Sequence, residues 1–356
     1  MNSDTLTRKQ VILERLTRNG ILRNFYSAME CAGSLCGIQF QLRNWGEISF
    51  YLRVGGLKRE SMEKLYSDRG LINLWGHRKT LHAHCSTDRR MICDIYHSMN
   101  YLDKLLRGRE NVFDAIRGRI DKIPADSVIG HDVIEELAGL AFPDGLEGDM
   151  QPQYAVSCWL TNNGYAFQVP DSKVLMRTSE PWEPVPENTQ ESIKEFMRRY
   201  FTYFGPASRK DFCQISGLTM SSTEHTFKEL EDSLDVRLFE GREVYSIGDI
   251  DVGSPRPLAI LGKYDPLLLS YADKSWIADD AGIPKIWKNA GRVEAVIVDG
   301  SGAVGTWNAS FSGKRMDFTV EPFRAFTDTQ KDRISKRFTG LSASMGKVSG
   351  KLIFKV

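Results

Sequence analysis

The sequence predicts an α+β fold of three tandem winged-helix units followed by a C-terminal antiparallel β-rich, barrel-like domain. Helix candidates followed by a β-hairpin, the order of a winged helix, recur three times at a spacing of about 70–80 residues. After residue 257 the pattern changes to short apolar runs separated by Gly, Asp and Ser. We therefore expect segments at 1–124, 125–185, 186–256 and 257–356.

The first predicted unit begins with helices and ends in a hairpin. Apolar spacing predicts helices over residues 7–19 and 25–36, and Gly37 stands where a helix C-terminal cap falls. A short helix is expected over residues 59–67. LINLW and TLHAH, on either side of a Gly-His-Arg-Lys turn, predict a hairpin with a basic tip over residues 71–84.

The second and third predicted units repeat this order. Their helix candidates are residues 131–142, 154–160, 190–204, 208–216 and 222–233. YAFQV with VLMR, and VRLFE with EVYSI, supply the two hairpins. Ser221 and Glu224 match a capping box at the start of the last helix. That helix is rich in acidic residues, so we expect it to act as scaffold and not to enter a major groove.

The last predicted segment is mostly strands. PLAILGK, VEAVIVD, AVGTWNAS, RMDFTVE and KVSGKLIFKV are the strand-like runs. Asp299 and Gly300 mark a hairpin turn, and one helix is expected over residues 328–344. These features predict a small sheet or barrel.

Composition and charge restrict the class of protein. The 356 residues are 41% apolar and 26% charged, typical of a globular protein, which excludes disordered and collagen-like chains. We expect no transmembrane helix or secretory signal, and six reduced cysteines in a cytoplasmic protein. The net charge is +1, but residues 1–124 carry +8 and the tail from Phe311 carries +6. These basic regions fit a polyanionic partner, with solvated surface as the alternative.

Two glutamines follow the second helix candidate. Gln39 and Gln41 flank Phe40, and on an extended backbone side chains at i and i+2 point the same way. Two amides then converge on one small target, whereas on a continuous helix they would lie about 200° apart. The pair is significant only if the helix ends at Gly37. The alternative is that the amides cap the helix end or bond to a loop.

Five blocks carry a family resemblance that covers nearly the whole chain. They are GIQFQ, LWGHRKTLH, RRYFTYFGPASRKDFCQISGL, LGKYDPLLLSYADKSWI and VDGSGAVGTW. With them the chain resembles the AlkZ-like (YcaQ-like) winged-helix DNA glycosylases, which unhook interstrand crosslinks and remove bulky alkylpurines. The family signature is Gln-apolar-Gln, with Asp replacing the second Gln in one branch. Gln39-Phe40-Gln41 matches the Gln-Gln branch.

The resemblance implies a monofunctional DNA glycosylase with Gln39 and Gln41 as catalytic residues. Its substrate would be double-stranded DNA carrying alkylated or crosslinked purines. An N7- or N3-alkylated purine is already cationic and leaves as a neutral base, so the enzyme mainly has to hold a water near C1′. Neutral amides orient a water through their carbonyl and NH₂ groups. No lysine is adjacent, so no lyase step is expected. We expect a nucleoid-associated monomer with no cofactor.

Further site residues follow from charge and from position in these blocks. Those expected to hold DNA phosphates are Arg43, Arg53, Lys58, Arg59, Arg78, Lys79, Lys263, Lys314 and Arg315. Those expected to support the active channel are His82, Tyr264 and Asp265. Candidates for stacking on an unpaired base are Trp45, Phe50 and Tyr51, with core packing as the alternative.

Other chemistries lack support in the sequence. His82, His84, Cys85 and Cys93 match no zinc spacing, so no metal is expected. The GxGxxG match at residues 300–305 precedes a strand and not a helix, so it predicts a hairpin turn. There is no GxxxxGK[ST], GxSxG or HExxH motif, which argues against nucleotide-driven, serine-hydrolase and zincin classes.

Two rival functions remain open. A non-catalytic winged-helix regulator or architectural protein would bind DNA without releasing any base. A structural or interaction protein would show no salt-dependent affinity for DNA, because phosphate contacts give a marked salt dependence.

Overall fold

The protein is seen in a computed structural model that describes residues 5–97, 110–145, 151–170, 174–179, 185–252, 258–300 and 302–355. The chain divides into two compact units. We call Met1–Lys64 with Phe196–Val356 the split unit, and Leu65–Glu195 the inserted unit. The finer division into four consecutive segments, which is expected from the sequence, stays a prediction.

Fourteen α-helices lie in the described ranges. They are α1 Arg8–Arg18, α2 Ala28–Ser34, α3 Arg43–Tyr51, α4 Arg59–Ser67, α5 Arg89–Tyr96, α6 Glu110–Ile120, α7 His131–Ala141, α8 Pro152–Asn162, α9 Pro186–Tyr203, α10 Arg209–Ser216, α11 Glu224–Leu230, α12 Pro266–Leu269, α13 Ile283–Ile286 and α14 Asp328–Ser344. None of these helices has the length and apolar character needed to cross a membrane.

The strands of the same ranges form three sheets. They are β1 Thr5–Leu6, β2 Ile38–Gln39, β3 Leu71–Trp75, β4 Leu81–Cys85, β5 Val128–Ile129, β6 Ala166–Gln168, β7 Leu175–Arg177, β8 Asp235–Phe239, β9 Arg242–Ser246, β10 Leu258–Leu261, β11 Ala295–Asp299, β12 Ala303–Ser312, β13 Arg315–Pro322 and β14 Val348–Phe354. All four hairpins expected from the sequence are confirmed by antiparallel pairs β3–β4, β6–β7, β8–β9 and β11–β12.

The N-terminal strand and helix pack against residues about two hundred positions later in the chain. β1 pairs in parallel with β8. Arg15 of α1 donates to the Pro206 carbonyl at 2.7 and 3.0 Å and lies 3.7 Å above the ring of Tyr271. Arg18 bonds to the Thr202 and Ile247 carbonyls at 3.1 and 2.9 Å. The start of the chain is therefore part of the core of the split unit.

Helix α11 begins later than the capping-box prediction places it. Thr223 occupies the N-cap, with no hydrogen bond from its side chain to the helix amides. The Ser222 and Thr223 hydroxyls instead donate to the Thr219 carbonyl at 3.0 and 3.1 Å. The predicted box of Ser221 and Glu224 is wrong because these hydroxyls stabilise a preceding turn. The helices predicted over 131–142, 154–160, 190–204 and 208–216 begin and end within about four residues of their predicted positions.

The inserted unit contains a sheet with the order β4-β3-β6-β7-β5. Every residue of β3 and β4 is buried, so this hairpin is covered on both faces. Helices α6, α7 and α8 supply a separate core around Trp159, which stacks between Phe113 and Tyr165 at 5.5 and 5.2 Å.

The C-terminal sheet of the split unit is open and mixed. Its order is β10-β11-β12-β13-β14, and β13 pairs with β14 in parallel. The parallel pair exists because α14 connects these two strands, and such a crossover returns the chain in the same direction. Phe338 of α14 stacks on Phe318 of β13 at 4.2 Å, so the helix covers one face. The prediction of an antiparallel barrel is wrong.

Candidate active site

The end of α2 sets the backbone of the glutamine motif. The N–H groups of Gly37 and Cys36 bond back to the helix at 2.8 and 3.2 Å, closing its C-terminus. Both residues have positive φ, +102° and +52°, so the chain leaves the helical path here. Gln39 lies in β2 and Gln41 in the bend before α3. The requirement that the helix ends by Gly37 is met.

Burial alternates along the motif. Phe40 is 3% exposed and packs edge to face against Phe50 with 6.5 Å between ring centroids. Gln39 is half-buried and Gln41 is exposed. This is the pattern of an extended segment that buries one side chain and leaves its neighbours outside. Both glutamines therefore lie outside the core that Phe40 enters.

Gly46 of α3 packs directly against Phe40 and the backbone of Gln39. A Cβ at this position would lie 2.3 Å from Phe40 Cδ2 and 2.9 Å from the Gln39 carbonyl oxygen. Atoms do not approach so closely, and one neighbour is backbone, so only glycine allows this packing. Neither α3 nor this contact is among the features predicted from the sequence. The available signal was the apolar spacing of Trp45, Ile48 and Tyr51, interrupted by a glycine.

Arg53 and Asp265 form a fully buried ion pair, and both side chains are 0% exposed. The guanidinium donates to the two carboxylate oxygens at 2.9 and 2.6 Å and to Asn19 Oδ1 at 2.6 Å. Asp265 also accepts from the Leu267 N–H at 3.0 Å, capping α12. The predictions that Arg53 holds a DNA phosphate and that Asp265 faces an open channel are wrong, because neither group reaches solvent.

Lys263 lies beside the helix that follows the motif. Its Nζ is 2.9 Å from a Glu294 carboxylate oxygen and 5.4 Å from the ring centre of Trp45. Arg292 and Lys288 also approach Glu294, at 3.1 and 4.0 Å. Lys263, Lys288, Arg292 and Glu294 line a cavity of about 280 Å³. The sequence did not reveal this charged group, and the phosphate role of Lys263 stays a prediction.

Tyr264 follows Lys263 in a strained conformation. Its φ is +55° and its side chain is half-buried. A tyrosine rarely adopts the left-handed region, so the backbone here is fixed by its neighbours. Its role in the active channel stays a prediction.

Arg43 and Arg59 are exposed cations next to the motif. Arg43 pairs with Glu47 at 2.8 Å and Arg59 with Glu63 at 2.7 Å, and both line a cavity of about 240 Å³. Tyr51 lines the same cavity, and burial raises the pKa of its hydroxyl. Trp45, Phe50 and Tyr51 are all buried, so core packing is confirmed for them.

Lys314 and Arg315 lie at the turn between the two longest strands, β12 and β13. Both are exposed, and Arg315 contacts Asp317 at 3.0 Å. Exposure at a hairpin tip is compatible with their predicted phosphate contacts. The turn itself needs Gly313, whose φ is +52°.

In the inserted unit, His82 belongs to a buried group of imidazoles. Its ring lies 4.7 Å from that of His77 and 5.9 Å from that of His84, and its Nδ1 is 2.9 Å from the Thr80 carbonyl oxygen. Burial and the neighbouring rings lower the pKa of His82 and His84 well below the usual value, so both are neutral. His82 is 2% exposed, and its supporting role stays a prediction. Across the described residues, no His, Cys, Asp and Glu cluster fits a metal ion.

The predicted basic tip, Arg78 and Lys79, is a tight turn closed by the Thr80 N–H, which donates to the His77 carbonyl at 3.1 Å. Both residues have positive φ, +51° and +58°. Arg78 is half-buried, and burial lowers its pKa to about 10, so it stays a cation at neutral pH. Lys79 is exposed, and its carbonyl accepts from the Tyr154 hydroxyl at 2.9 Å. Lys79 is thus the more accessible of the two.

Comparison with known proteins gives a relative, a fold and a family. A curated interstrand DNA cross-link repair glycosylase from Streptomyces sahachiroi is 22% identical over 327 residues, which cover 84% of this chain and 87% of that protein. The solved structure of Streptomyces sahachiroi DNA glycosylase AlkZ matches with a TM-score of 0.80 and 18% identity, over 99% of this chain and 100% of that one. This likeness shows the fold. The family model described as DNA glycosylase AlkZ-like matches residues 32–343. The chain is a DNA glycosylase and belongs to the AlkZ-like family.

Proposed function

We propose that this enzyme hydrolyses the N-glycosidic bond of cationic alkylpurines, N7-alkylguanine and N3-alkyladenine, and unhooks interstrand crosslinks that contain them. Gln39 and Gln41 position the attacking water. The enzyme acts on double-stranded DNA as a monomer, without a cofactor, in the cytoplasm at the nucleoid. The crosslink substrate is carried over from the name of the Streptomyces relative.

The observation that carries this proposal is the alternation of burial at residues 39–41. Phe40 enters the core while a half-buried and an exposed glutamine flank it on non-helical backbone. The motif itself contains no carboxylate, so its two side chains supply neutral amides. This suits a leaving base that already carries positive charge, since water positioning is then the main requirement.

The test is release of base from defined DNA. Duplexes with N7-methylguanine and with a nitrogen-mustard crosslink are incubated with wild-type protein, Gln39→Ala and Gln41→Ala, and free base and abasic sites are counted. We expect roughly 100-fold or greater loss in each variant, the range for positioned catalytic groups, with DNA affinity retained. Gln214→Ala is the matched control, because Gln214 is exposed on α10.

Gln41→Asp sharpens the test. The family branch with Asp at this position predicts that this variant retains activity that Gln41→Ala loses. Release unaffected by any motif variant would refute the assignment of the catalytic pair while leaving the glycosylase in place. Binding without release on every adduct would support the non-catalytic alternative.

A further inference from the structure

Tyr26 is 92% exposed. Among the tryptophans, phenylalanines and tyrosines of the described residues it is the one exposed ring, and the others are buried or half-buried. Burying an aromatic ring is strongly favourable, so full exposure leaves a large apolar surface uncovered. Packing of the core therefore does not explain why a tyrosine stands at this position.

The backbone holds Tyr26 firmly on both sides. On one side Phe25 is 8% exposed, forms an isolated parallel bridge with Val54, and donates its N–H to the Arg53 carbonyl at 2.8 Å. On the other side Ser27 caps α2, accepting from the Glu30 N–H at 3.0 Å. The Tyr26 N–H itself donates to Glu30 Oε2 at 2.7 Å. The ring therefore projects from a fixed backbone.

Two exposed cations lie on the loops joined by the Phe25–Val54 bridge. Arg23 precedes the bridge on the first loop, and Lys58 follows it on the second. Neither makes an ion pair with any described residue, unlike Arg43 and Arg59. Gly55 and Gly56 are exposed between Val54 and Lys58, and Leu57 is only 8% exposed, so no bulky side chain projects into solvent between the bridge and Lys58.

We propose that Tyr26 stacks on an unpaired nucleobase of the bound DNA, with Arg23 and Lys58 holding adjacent phosphates. This inference rests on the DNA-directed function proposed above. An aromatic face next to unpaired cations is the combination that binds unpaired nucleotides, since every base has a face to stack on. Helix α2, about 10 Å long, separates Tyr26 from the turn that precedes the glutamine motif. The stacked base is therefore a neighbour of the excised one and not the excised base itself.

The first experiment measures affinity and not catalysis. Fluorescein-labelled duplexes, one fully paired and one with a single unpaired thymine, are titrated with protein and followed by anisotropy. Wild-type protein is expected to bind the unpaired duplex more tightly. Tyr26→Ala is expected to weaken that binding by about 5- to 100-fold and to abolish the preference. Tyr26→Trp should restore it.

Three controls separate stacking from other effects. Val236→Ala removes an apolar side chain that is 48% exposed on β8 and should bind as wild type. Arg23→Ala and Lys58→Ala should each lower the slope of log affinity against log salt by about 1, whereas Tyr26→Ala should leave the slope unchanged. Thermal unfolding should be unchanged in all of them, because these side chains are exposed.

A second experiment locates the contact. Replacing the unpaired thymine by 5-iodouracil and irradiating should crosslink the base to the peptide that contains Tyr26. Wild-type affinity in Tyr26→Ala, or a crosslink elsewhere with none here, would overturn the proposal. Base release tests the glycosylase reaction independently, so normal release with no role for Tyr26 refutes only the stacking, and no release with intact stacking refutes only the proposed reaction.

Discussion

Arg43 begins α3 and Arg53 follows its end, and both pair with a carboxylate, yet their surroundings are opposite. Arg53 and Asp265 are 0% exposed, whereas the Arg43 side chain is 41% exposed beside Glu47. A buried charge that loses its partner is left without water, but an exposed one is simply hydrated. Both arginines carry the same formal charge, and burial decides which of them a phosphate can reach.

The largest effect is expected from breaking the buried pair. Arg53→Met or Asp265→Asn should destabilise the protein by about 3–5 kcal/mol, because each leaves an uncompensated buried group. Denaturant unfolding measures it. The double variant Arg53→Met with Asp265→Asn should lose less than the sum of the single changes. A loss below about 1 kcal/mol in both single variants would contradict the geometry.

Gly46→Ala tests the packing behind the motif. The new methyl group would displace Phe40 or the Gln39 backbone, so we expect about 1–3 kcal/mol of destabilisation and a fall in base release. Gly340→Ala is the matched control, since nothing lies within 4 Å of a Cβ there. As Gly340 is within α14, this control should gain up to about 1 kcal/mol. Equal stability of the two variants would be evidence against the contact.

The buried imidazoles predict acid sensitivity in the inserted unit. His82 and His84 have pKa values lowered in the folded state, so the unfolded chain binds protons first as the pH falls below its value of about 6.5. Stability should be complete above pH 7 and decline below 6.5, by at most about 1.4 kcal/mol per pH unit for each histidine. Urea unfolding between pH 7.5 and 5, with His84→Phe for comparison, should show a shallower decline in the variant.

The smallest effect on stability is expected at the exposed pairs. Arg43→Ala or Arg59→Ala should change unfolding by less than about 1 kcal/mol, because exposed ion pairs contribute little. If these cations bind phosphates, each variant should lower the salt slope of DNA binding by about 1. Anisotropy at several salt concentrations measures this. A large stability loss here would remove the contrast with Arg53.

Local signals predicted local structure well. Apolar spacing located α1 and α2, and turn residues helped to locate the hairpins, because both depend on neighbours in sequence. The contacts that override these signals come from distant residues. The parallel pairing of β13 with β14, which replaces the expected barrel, depends on how α14 packs on Phe318, and no short motif encodes that.

The same limit applies to the candidate site. The extended backbone of Gln39 and Gln41 follows from a local helix end, so it could be anticipated from Gly37. The burial of Arg53 could not be predicted from the sequence, because its partner Asp265 lies 212 residues away. Gly46 was invisible for a related reason: a glycine in a helix has no sequence signature that distinguishes tight packing from open space, as Gly340 illustrates.

The docking of α1 on residues 202–247 has a consequence for synthesis on the ribosome. At about 5–20 residues per second, roughly 10–45 s pass between emergence of this helix and translation of the segment that covers it. Arg15 and Arg18 stay without their native carbonyl partners during that time. Leu65–Glu195, by contrast, is contiguous and is completed first. The nascent chain thus assembles from its middle outwards, and its first helix is among the last parts to find its place.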